Sequence, residues 1–296
     1  MSSELPEIAT KARTRAIMET YGLTFKKSLG QNFLTDLNIL RKIIEAAEVS
    51  DEDDVIEIGP GIGALTEQLA KRAHHVMALE IDSRLIPVLD ETLSPYENVT
   101  IVEQDVLKAD LKALIAENFD GSHRIKLVAN LPYYITTPII MHLLDVDVDF
   151  ETIVVMMQKE VADRLAASPG TKDYGSLSVA VQYDMDARVA FIVPKTVFIP
   201  QPKVDSAIIA LRRREEKPFA PEDEQFFKKL VRGIFMHRRK SLWNNLQNFL
   251  GKEAETKEKM ERALEKAEID KSVRAERLTI EQMVCLADAL TDEKLN

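Results

Sequence analysis

The stretch Asn130-Leu131-Pro132-Tyr133 combines an amide, a rigid turn and an aromatic ring at the end of an apolar run. This combination suits chemistry at the exocyclic amine of adenine, whose lone pair is delocalised into the ring and therefore reacts poorly. Two acceptors on the N–H bonds favour a pyramidal nitrogen, and the Asn130 side-chain oxygen and the Leu131 carbonyl can supply them. Pro132 restricts the direction of that carbonyl. Tyr133 offers a face to a base, a contact worth about 1–3 kcal/mol.

A purely structural role for this stretch is the alternative hypothesis. Asn130 would then cap the next helix, and the tyrosines would pack in the core. However, Thr136 or Thr137 is expected to cap that helix, which leaves Asn130 without a structural role. We therefore favour a functional role for Asn130.

A glycine-rich turn, Glu57–Thr66, connects a predicted strand to a predicted helix. Gly59, Gly61 and Ala64 satisfy the dinucleotide-binding pattern G-x-G-x-x-G/A. Glycine allows both the tight turn and a close approach of the backbone to a ligand. The pattern alone is also compatible with a nicotinamide enzyme, or with a turn that binds nothing.

Two acidic residues, Glu80 and Asp105, end the second and third predicted strands. Glu80 lies 21 residues after Gly59, where a carboxylate can accept hydrogen bonds from ribose hydroxyls. Asp105 could accept a hydrogen bond from an adenine amino group, which a nicotinamide site does not specially require. Because the carboxyl ends of parallel strands meet at one edge of a sheet, we expect these acids, the glycines and Asn130 around one nucleoside ligand.

The order of the predicted elements indicates an α/β fold. Strands that alternate with helical segments are typical of a parallel sheet covered on both faces. Five such strands are predicted at residues 55–58, 75–82, 99–105, 125–130 and 152–158. Two β-rich runs follow, Ser176–Val193 and Val204–Arg214. They predict an antiparallel pair that completes a mostly parallel, seven-stranded sheet.

Composition changes along the chain predict two domains. Residues 1–216 would form the ligand-binding domain with a basic, helical N-terminal extension, and residues 217–296 a small all-helical domain. The segment 217–224 has two prolines and three acids and is predicted to be the linker between them.

The net charge of −10 and the sequence pI of about 5.2 argue at first against a nucleic-acid partner. The basic residues are clustered, however. Lys11–Lys42 contains seven basic and two acidic residues, a net charge of +5, and Lys228–Trp243 contains six basic residues and no acid. Screening limits the reach of each charge to about 8–10 Å, so such clusters can bind a phosphate backbone on an acidic protein. A solvated helix face is the alternative interpretation.

The remaining composition predicts a cytoplasmic protein. Cys285 is the single cysteine, and no apolar run is long enough to span a bilayer. The N-terminal residues 1–15 lack the apolar core of a signal peptide. His74, His75 and His142 have no partners at metal-ligand spacing, so we predict no metal site.

Four motifs together resemble the small-subunit ribosomal RNA adenine dimethyltransferases, the KsgA/RsmA family. They are E-I-G-P-G-x-G, N-L-P-Y, the early G-Q-N-F-L at Gly30–Leu34 and F-x-P-x-P-x-V-D-S at Phe198–Ser206. The resemblance extends from Phe25 to the C-terminal helices. As a set, the motifs are highly specific.

The resemblance implies a class I, Rossmann-like methyltransferase that uses S-adenosyl-L-methionine. The implied reaction is dimethylation of N6 of two adjacent adenosines in the 3′-terminal hairpin loop of 16S rRNA. The implied partner is this RNA within the immature small ribosomal subunit, with a role in subunit maturation. Because members of this family usually act alone, we also expect a monomer without a membrane partner.

The resemblance also implies roles for individual residues. The implied cofactor-binding residues are Asn32, Leu34, Gly59, Gly61, Glu80, Asp105 and Asn130, and the implied catalytic residues are Asn130, Leu131, Pro132 and Tyr133. Tyr133 would stack on the target base and Phe198 would pack against it from the other side. From the residues alone, Phe198 belongs equally well to a proline-shaped loop before an edge strand.

The implied RNA contacts of the helical domain are basic. Arg238, Arg239 and Lys240 are predicted to lie within about one turn of a helix, with Arg232 one or two turns earlier. Long cationic side chains of this kind bind phosphates.

Three other functions remain open from the sequence. One is a large-subunit rRNA adenine methyltransferase of the resistance type, although those enzymes tend to be basic overall. Another is a ribosome-assembly factor that acts mainly by binding. A nicotinamide dehydrogenase is the third, and it leaves Asp105 and Asn130–Tyr133 unexplained.

Overall fold

The computed structural model describes residues 6–23, 32–215 and 219–296, and its contacts divide the chain into two compact units. The first unit comprises residues 1–162 and 186–213, and the second comprises residues 163–185 and 214–296. The sequence placed residues 163–185 with the sheet, whereas Val179 and Tyr183 are buried in the core of the second unit. The predicted boundary at residues 216 and 217 lies outside the described residues, so it stays a prediction.

A mostly parallel, seven-stranded sheet forms the centre of the first unit, as predicted. The described part of the chain has nine strands, seven of them in this sheet: β1 (Phe33–Leu34), β2 (Asp53–Ile58), β3 (His75–Glu80), β4 (Val99–Glu103), β5 (Arg124–Asn130), β6 (Phe150–Gln158), β7 (Met185–Val193), β8 (Phe198–Ile199) and β9 (Ser206–Arg213). The order in the large sheet is β4-β3-β2-β5-β6-β9-β7. Strands β2 to β6 pair in parallel, and β9 is antiparallel to β6. Strands β1 and β8 form a separate antiparallel pair.

Twelve α-helices lie in the described part of the chain. They are α1 (Lys11–Thr20), α2 (Leu37–Ala46), α3 (Ala64–Ala70), α4 (Ile86–Thr92), α5 (Leu111–Asn118), α6 (Thr136–Asp145), α7 (Lys159–Leu165), α8 (Ser176–Asp184), α9 (Glu224–Ile234), α10 (Leu242–Leu250), α11 (Ala254–Lys266) and α12 (Ile280–Asp292). Helices α9 to α12 confirm the predicted helical character of the C-terminal segment. None of the described helices is long and apolar enough to cross a membrane.

Helix α8 corrects the β-rich prediction over residues 176–184, whereas the rest of that run, from Met185, is strand β7. Val179 and Tyr183 are four residues apart, so a helix places both on one face, where they are buried. The first turn is held by a hydrogen bond from the Gly175 N–H to the Ser178 hydroxyl at 3.1 Å. Packing in the second unit therefore outweighs the strand preference that the alternating apolar residues indicated.

The start of α6 also differs from the prediction. Its N-cap residue is Ile135, and no side chain caps the helix there. The Thr136 hydroxyl instead donates to the Pro132 carbonyl at 3.0 Å, which closes the preceding turn.

The amino ends of the central strands contain a buried ion pair. Lys126 in β5 is 2% exposed, and its Nζ lies 3.1 Å from the carboxylate of Asp53 in β2. The same ammonium donates to the Glu48 carbonyl at 2.8 Å. A buried pair of this kind ties adjacent strands together because removing Lys126 leaves Asp53 with Arg124, at 3.0 Å, as its remaining cation.

Candidate active site

The carboxyl ends of β2, β3, β4 and β5 surround one open cavity in the first unit. Ten of the predicted site residues line it: Asn32, Leu34, Gly59, Gly61, Glu80, Asp105, Asn130, Leu131, Pro132 and Tyr133. The sequence spacing placed the strand ends at one sheet edge, and the parallel pairing of the strands brings their side chains together.

The glycine turn after β2 has a backbone conformation that residues other than glycine rarely adopt. Gly59 has φ 69° and Gly61 has φ 63°. A Cβ at Gly61 would lie 3.0 Å from the Phe33 ring, whereas a Cβ at Gly59 would project into open space. The Gly59 N–H donates to the Leu79 carbonyl at 2.9 Å, which fixes the turn against β3. The turn therefore exposes backbone to the cavity without a side chain in the way.

Glu80 ends β3 with both carboxylate oxygens held by backbone groups. The Gly61 N–H donates to Oε2 at 3.2 Å, and the Asp82 N–H donates to Oε1 at 2.8 Å. Burial raises the pKa of Glu80, and the backbone hydrogen bonds oppose this rise. The side chain is 4% exposed, so these two bonds orient an acceptor at the cavity wall.

Glu57 is a cavity residue that the sequence analysis did not single out. It lies in β2, it is 1% exposed, and it lines the same cavity. Burial raises its pKa to about 8; the Thr66 hydroxyl opposes the rise and the charge of Glu80 adds to it. Among the described residues, none forms a hydrogen bond of normal geometry with Glu57 Oε2. A carboxyl in this environment holds its proton at neutral pH. The available signal was an acid inside the predicted apolar strand at residues 55–58.

Asp105 follows β4 at the start of a turn. The Leu107 N–H donates to Asp105 Oδ1 at 3.1 Å, and Lys108 Nζ lies 3.6 Å from Oδ2. The carboxylate is half-buried at the cavity wall. These contacts orient it as a hydrogen-bond acceptor.

The Asn130–Tyr133 turn is fixed by contacts on both sides. Asn130 Nδ2 donates to the Asn32 carbonyl at 3.4 Å, so Asn130 has the structural contact that the sequence did not predict. The Leu131 N–H donates to the Met156 carbonyl at 3.2 Å. Because the Asn130 amide nitrogen faces Asn32, its Oδ1 is the atom that remains to accept a hydrogen bond from a ligand amine.

Tyr133 is half-buried and anchored to β9. Its hydroxyl and the Ser206 hydroxyl are 2.6 Å apart, and Ser206 is fully buried. Burial raises the pKa of the Tyr133 phenol, the Ser206 hydrogen bond lowers it, and the charge of Asp205 raises it. The phenol is therefore neutral at physiological pH, and its ring has a fixed place on the cavity wall.

Phe198 lies in the hydrophobic core, outside the set of residues that line the cavity. Its ring is 3% exposed, and its strand β8 pairs with β1 so that Phe198 lies opposite Leu34. The Thr35 N–H donates to the Val197 carbonyl at 2.9 Å, which reinforces this pair. In this arrangement Phe198 anchors the strand that carries Leu34. Contact of its ring with a base stays a prediction.

Three of the four predicted RNA-contacting residues of the second unit lie in a loop. Arg232 is exposed on α9, whereas Arg238, Arg239 and Lys240 lie between α9 and α10 rather than in a helix. We call residues 237–241 the basic loop. The buried Asn245 holds it, since Oδ1 accepts from the His237 N–H and Nδ2 donates to the His237 carbonyl, both at 3.2 Å.

Arg238 differs from its neighbours in the basic loop. Its guanidinium donates to the Tyr174 carbonyl at 3.2 Å and also to the Lys172 carbonyl, and it lies 3.7 Å from Glu276. Arg238 is therefore engaged within its own unit. Arg239 and Lys240 are exposed.

A histidine pair not apparent from sequence spacing lies at the opposite edge of the sheet. The rings of His74 and His123 stack with centroids 3.7 Å apart and planes 10° apart, and His74 Nδ1 lies 2.8 Å from Asp54. A single metal ion cannot lie in both of two parallel ring planes this far apart. We therefore assign no metal to this pair.

Comparisons with known proteins find similarity over most of the chain. Residues 22–292 match the ribosomal RNA adenine dimethylase family. Ribosomal RNA small subunit methyltransferase A of Ligilactobacillus salivarius (strain UCC118) is 73% identical over 296 residues, which cover 100% of both chains.

Two solved structures share the architecture of the chain. The dimethyladenosine transferase from Plasmodium falciparum superposes with a TM-score of 0.75 at 27% identity, covering 88% of this chain and 98% of that chain. The 23S rRNA methyltransferase ErmE superposes with a TM-score of 0.66 at 30% identity, covering 88% of this chain and 99% of that chain. The fold is thus that of a class I methyltransferase, and the chain belongs to the ribosomal RNA adenine dimethylase family.

Proposed function

We propose that this protein transfers methyl groups from S-adenosyl-L-methionine to N6 of two adjacent adenosines in the 3′-terminal hairpin loop of 16S rRNA. The observation that carries the proposal is the placement of Asn130–Tyr133 on the same cavity as the glycine turn and Glu80. The proposed setting is the immature small ribosomal subunit in the cytoplasm, with the protein acting as a monomer.

The residues along the cavity fit the cofactor. Gly59 leaves open space beside the backbone, where a close ligand contact is possible. Glu80 presents oriented carboxylate oxygens suited to ribose hydroxyls, and Asp105 presents an acceptor suited to an adenine amino group. Asn32 and Leu34 would border the methionine end. When bound, S-adenosyl-L-methionine supplies an electrophilic methyl group on a positively charged sulfur.

The Asn130–Tyr133 turn orients the target amine. Asn130 Oδ1 and the Leu131 carbonyl would accept hydrogen bonds from its two N–H groups and direct the nitrogen lone pair toward the methyl group. The nitrogen would take the methyl group while the sulfur keeps the electron pair of the broken carbon–sulfur bond, and one proton would pass from the amine to water. Orientation supplies most of the rate enhancement in such a site, so no strong general base is required. The Tyr133 ring would stack on the base and offset part of the few kcal/mol needed to flip it.

The second unit would contact the phosphate backbone. Arg232, Arg239 and Lys240 are exposed cations suited to this role, and Asn245 holds the basic loop in shape. Arg238 would act mainly by anchoring the loop, because its guanidinium already binds two carbonyls.

Specificity for the small subunit is supported by the relatives. The 73% identical relative is named for the small subunit, whereas the 23S enzyme is 30% identical. Large-subunit methylation is therefore the less favoured alternative. A role in subunit maturation through binding can coexist with catalysis.

The experiment incubates the protein with tritiated S-adenosyl-L-methionine and unmethylated small or large subunits, and then identifies the labelled nucleoside. We expect N6,N6-dimethyladenosine from small subunits alone. Asn130→Ala should reduce the rate by on the order of 10²-fold, as for loss of one preorganised polar group. Asn118→Ala, a change of the same type in α5, should leave it unchanged. Label confined to large subunits, or full activity of Asn130→Ala, would contradict the proposal.

A further inference from the structure

We propose that Tyr134 binds the RNA nucleotide next to the target adenosine by stacking on its base. Tyr134 is 58% exposed, although it lines the same cavity as Asn130. An exposed aromatic ring beside a reaction site leaves a large apolar face in water, which a second aromatic group can cover. The inference rests on the function proposed above, because it concerns how that site holds its substrate.

The two consecutive tyrosines of the turn have different surroundings. The Tyr133 hydroxyl is held by Ser206, and its ring is half-buried. Tyr134 is exposed. Among the described contacts, no hydrogen bond ties its side chain to β9. One ring is therefore built into the cavity wall, and the next stands at the cavity mouth.

The turn that carries Tyr134 is rigid. The Ile135 N–H donates to the Pro132 carbonyl at 3.2 Å, and the Thr136 hydroxyl donates to the same carbonyl at 3.0 Å. The proline ring restricts the backbone on the preceding side. Because the backbone is already ordered, stacking on Tyr134 costs little conformational entropy beyond its side-chain torsions.

A nucleobase is the occupant that this position fits. Flipping the target base into the cavity removes a stacking partner from the neighbouring base. A ring at the cavity mouth can replace that partner, and aromatic stacking accepts any base because every base has a π face. Because the strand enters the site with one polarity, Tyr134 faces the same side of the target each time. The neighbour is therefore the other adenosine for one target and the flanking nucleotide for the other, and stacking accepts both. Tyr134 is thus a positioning residue.

The test compares two protein variants on two kinds of small subunit. Both subunits keep one target adenosine, and the nucleotide on each side of it is either guanosine or uridine, which stacks less strongly. We expect Tyr134→Ala to raise KM by about 5- to 150-fold on the guanosine-neighbour subunits, with kcat nearly unchanged. The increase should be several-fold smaller on the uridine-neighbour subunits. Tyr134→Phe keeps the ring and should behave like the wild type on both.

Three outcomes would overturn the inference. An unchanged KM for Tyr134→Ala would show that the ring does not bind RNA. An equal rise in KM on both subunits would show that the ring contacts something other than the neighbouring base. Weaker binding of S-adenosylhomocysteine by Tyr134→Ala, measured by calorimetry without RNA, would assign the ring to the cofactor. Absence of methylation by the wild type would instead refute the proposed function itself, so the two failures are distinguishable.

Discussion

The buried carboxyl of Glu57 makes the free energy of unfolding depend on pH in a way that Glu57→Gln should remove. Burial raises the pKa of Glu57 from an ordinary value of 4.5 to about 8. The native state therefore holds a proton that the unfolded state releases between these two values. The contribution of Glu57 to the free energy of unfolding is therefore greatest below pH 4.5, and it falls as the pH rises toward 8. Glutamine has nearly the same shape and stays neutral throughout.

The magnitude follows from the proton difference. Between the two pKa values, one extra proton on the native state lowers the free energy of unfolding by about 1.4 kcal/mol per pH unit. Integrated from pH 5.5 to 8.5 with a native pKa of about 8, the contribution of Glu57 falls by about 3 kcal/mol. Any constant cost of burying the glutamine amide cancels, because only the change with pH is compared.

The assay is urea unfolding followed by circular dichroism at steps of 0.5 pH unit between about pH 5.5 and 8.5, without cofactor. We expect the difference in stability between Glu57→Gln and the wild type to rise by about 3 kcal/mol across this range. Glu52→Gln, the same change at an exposed position, controls for the loss of a negative charge. Parallel pH profiles for Glu57→Gln and the wild type would refute the assignment of a protonated carboxyl at this position.

Three further predictions test the cavity, the sheet and the basic loop. Gly61→Ala should weaken binding of S-adenosylhomocysteine in calorimetry, because its Cβ meets an aromatic ring at 3.0 Å. Gly121→Ala, at φ 76° in open space, controls for backbone strain. Equal affinities of the Gly61→Ala and Gly121→Ala variants would contradict the argument. Lys126→Met should lower the free energy of unfolding in urea by about 3 kcal/mol, because Asp53 loses its buried partner and keeps only one other cation; a loss under about 1 kcal/mol would be inconsistent with a buried pair. Arg239→Ala should reduce the slope of log affinity for small-subunit RNA against log salt by about 0.7–0.9 in filter binding. An unchanged slope would remove this residue from the phosphate contacts.

The sequence predicted the sheet and most of the cavity because local patterns carry that information. Apolar strands of the right length, each followed by a helical segment, specify a parallel sheet. In a parallel sheet the residues after each strand must meet at one edge, so Glu80, Asp105 and Asn130 could be placed together from their positions alone. The seven strands and their mostly parallel pairing are confirmed.

The features that the sequence did not predict correctly depend on contacts between residues far apart in the chain. The apolar residues of α8 alternate as they would in a strand, but the segment forms a helix because its apolar face is buried in the second unit. Phe198 belongs to a motif, yet its 3% exposure comes from the pairing of β8 with β1, which lie far apart in the chain.

Thus the sequence by itself determined the fold class, the set of strand-end residues and the chemistry that their types allow. Only the tertiary structure decided which side chains are exposed, buried or paired. It placed Tyr134 at the mouth of the cavity beside the anchored Tyr133, enclosed Glu57 so that its pKa is raised to about 8, and turned Arg238 toward carbonyls of its own unit. The reason is physical: residue type and spacing act along the chain, whereas desolvation and hydrogen bonding depend on neighbours that folding brings from elsewhere.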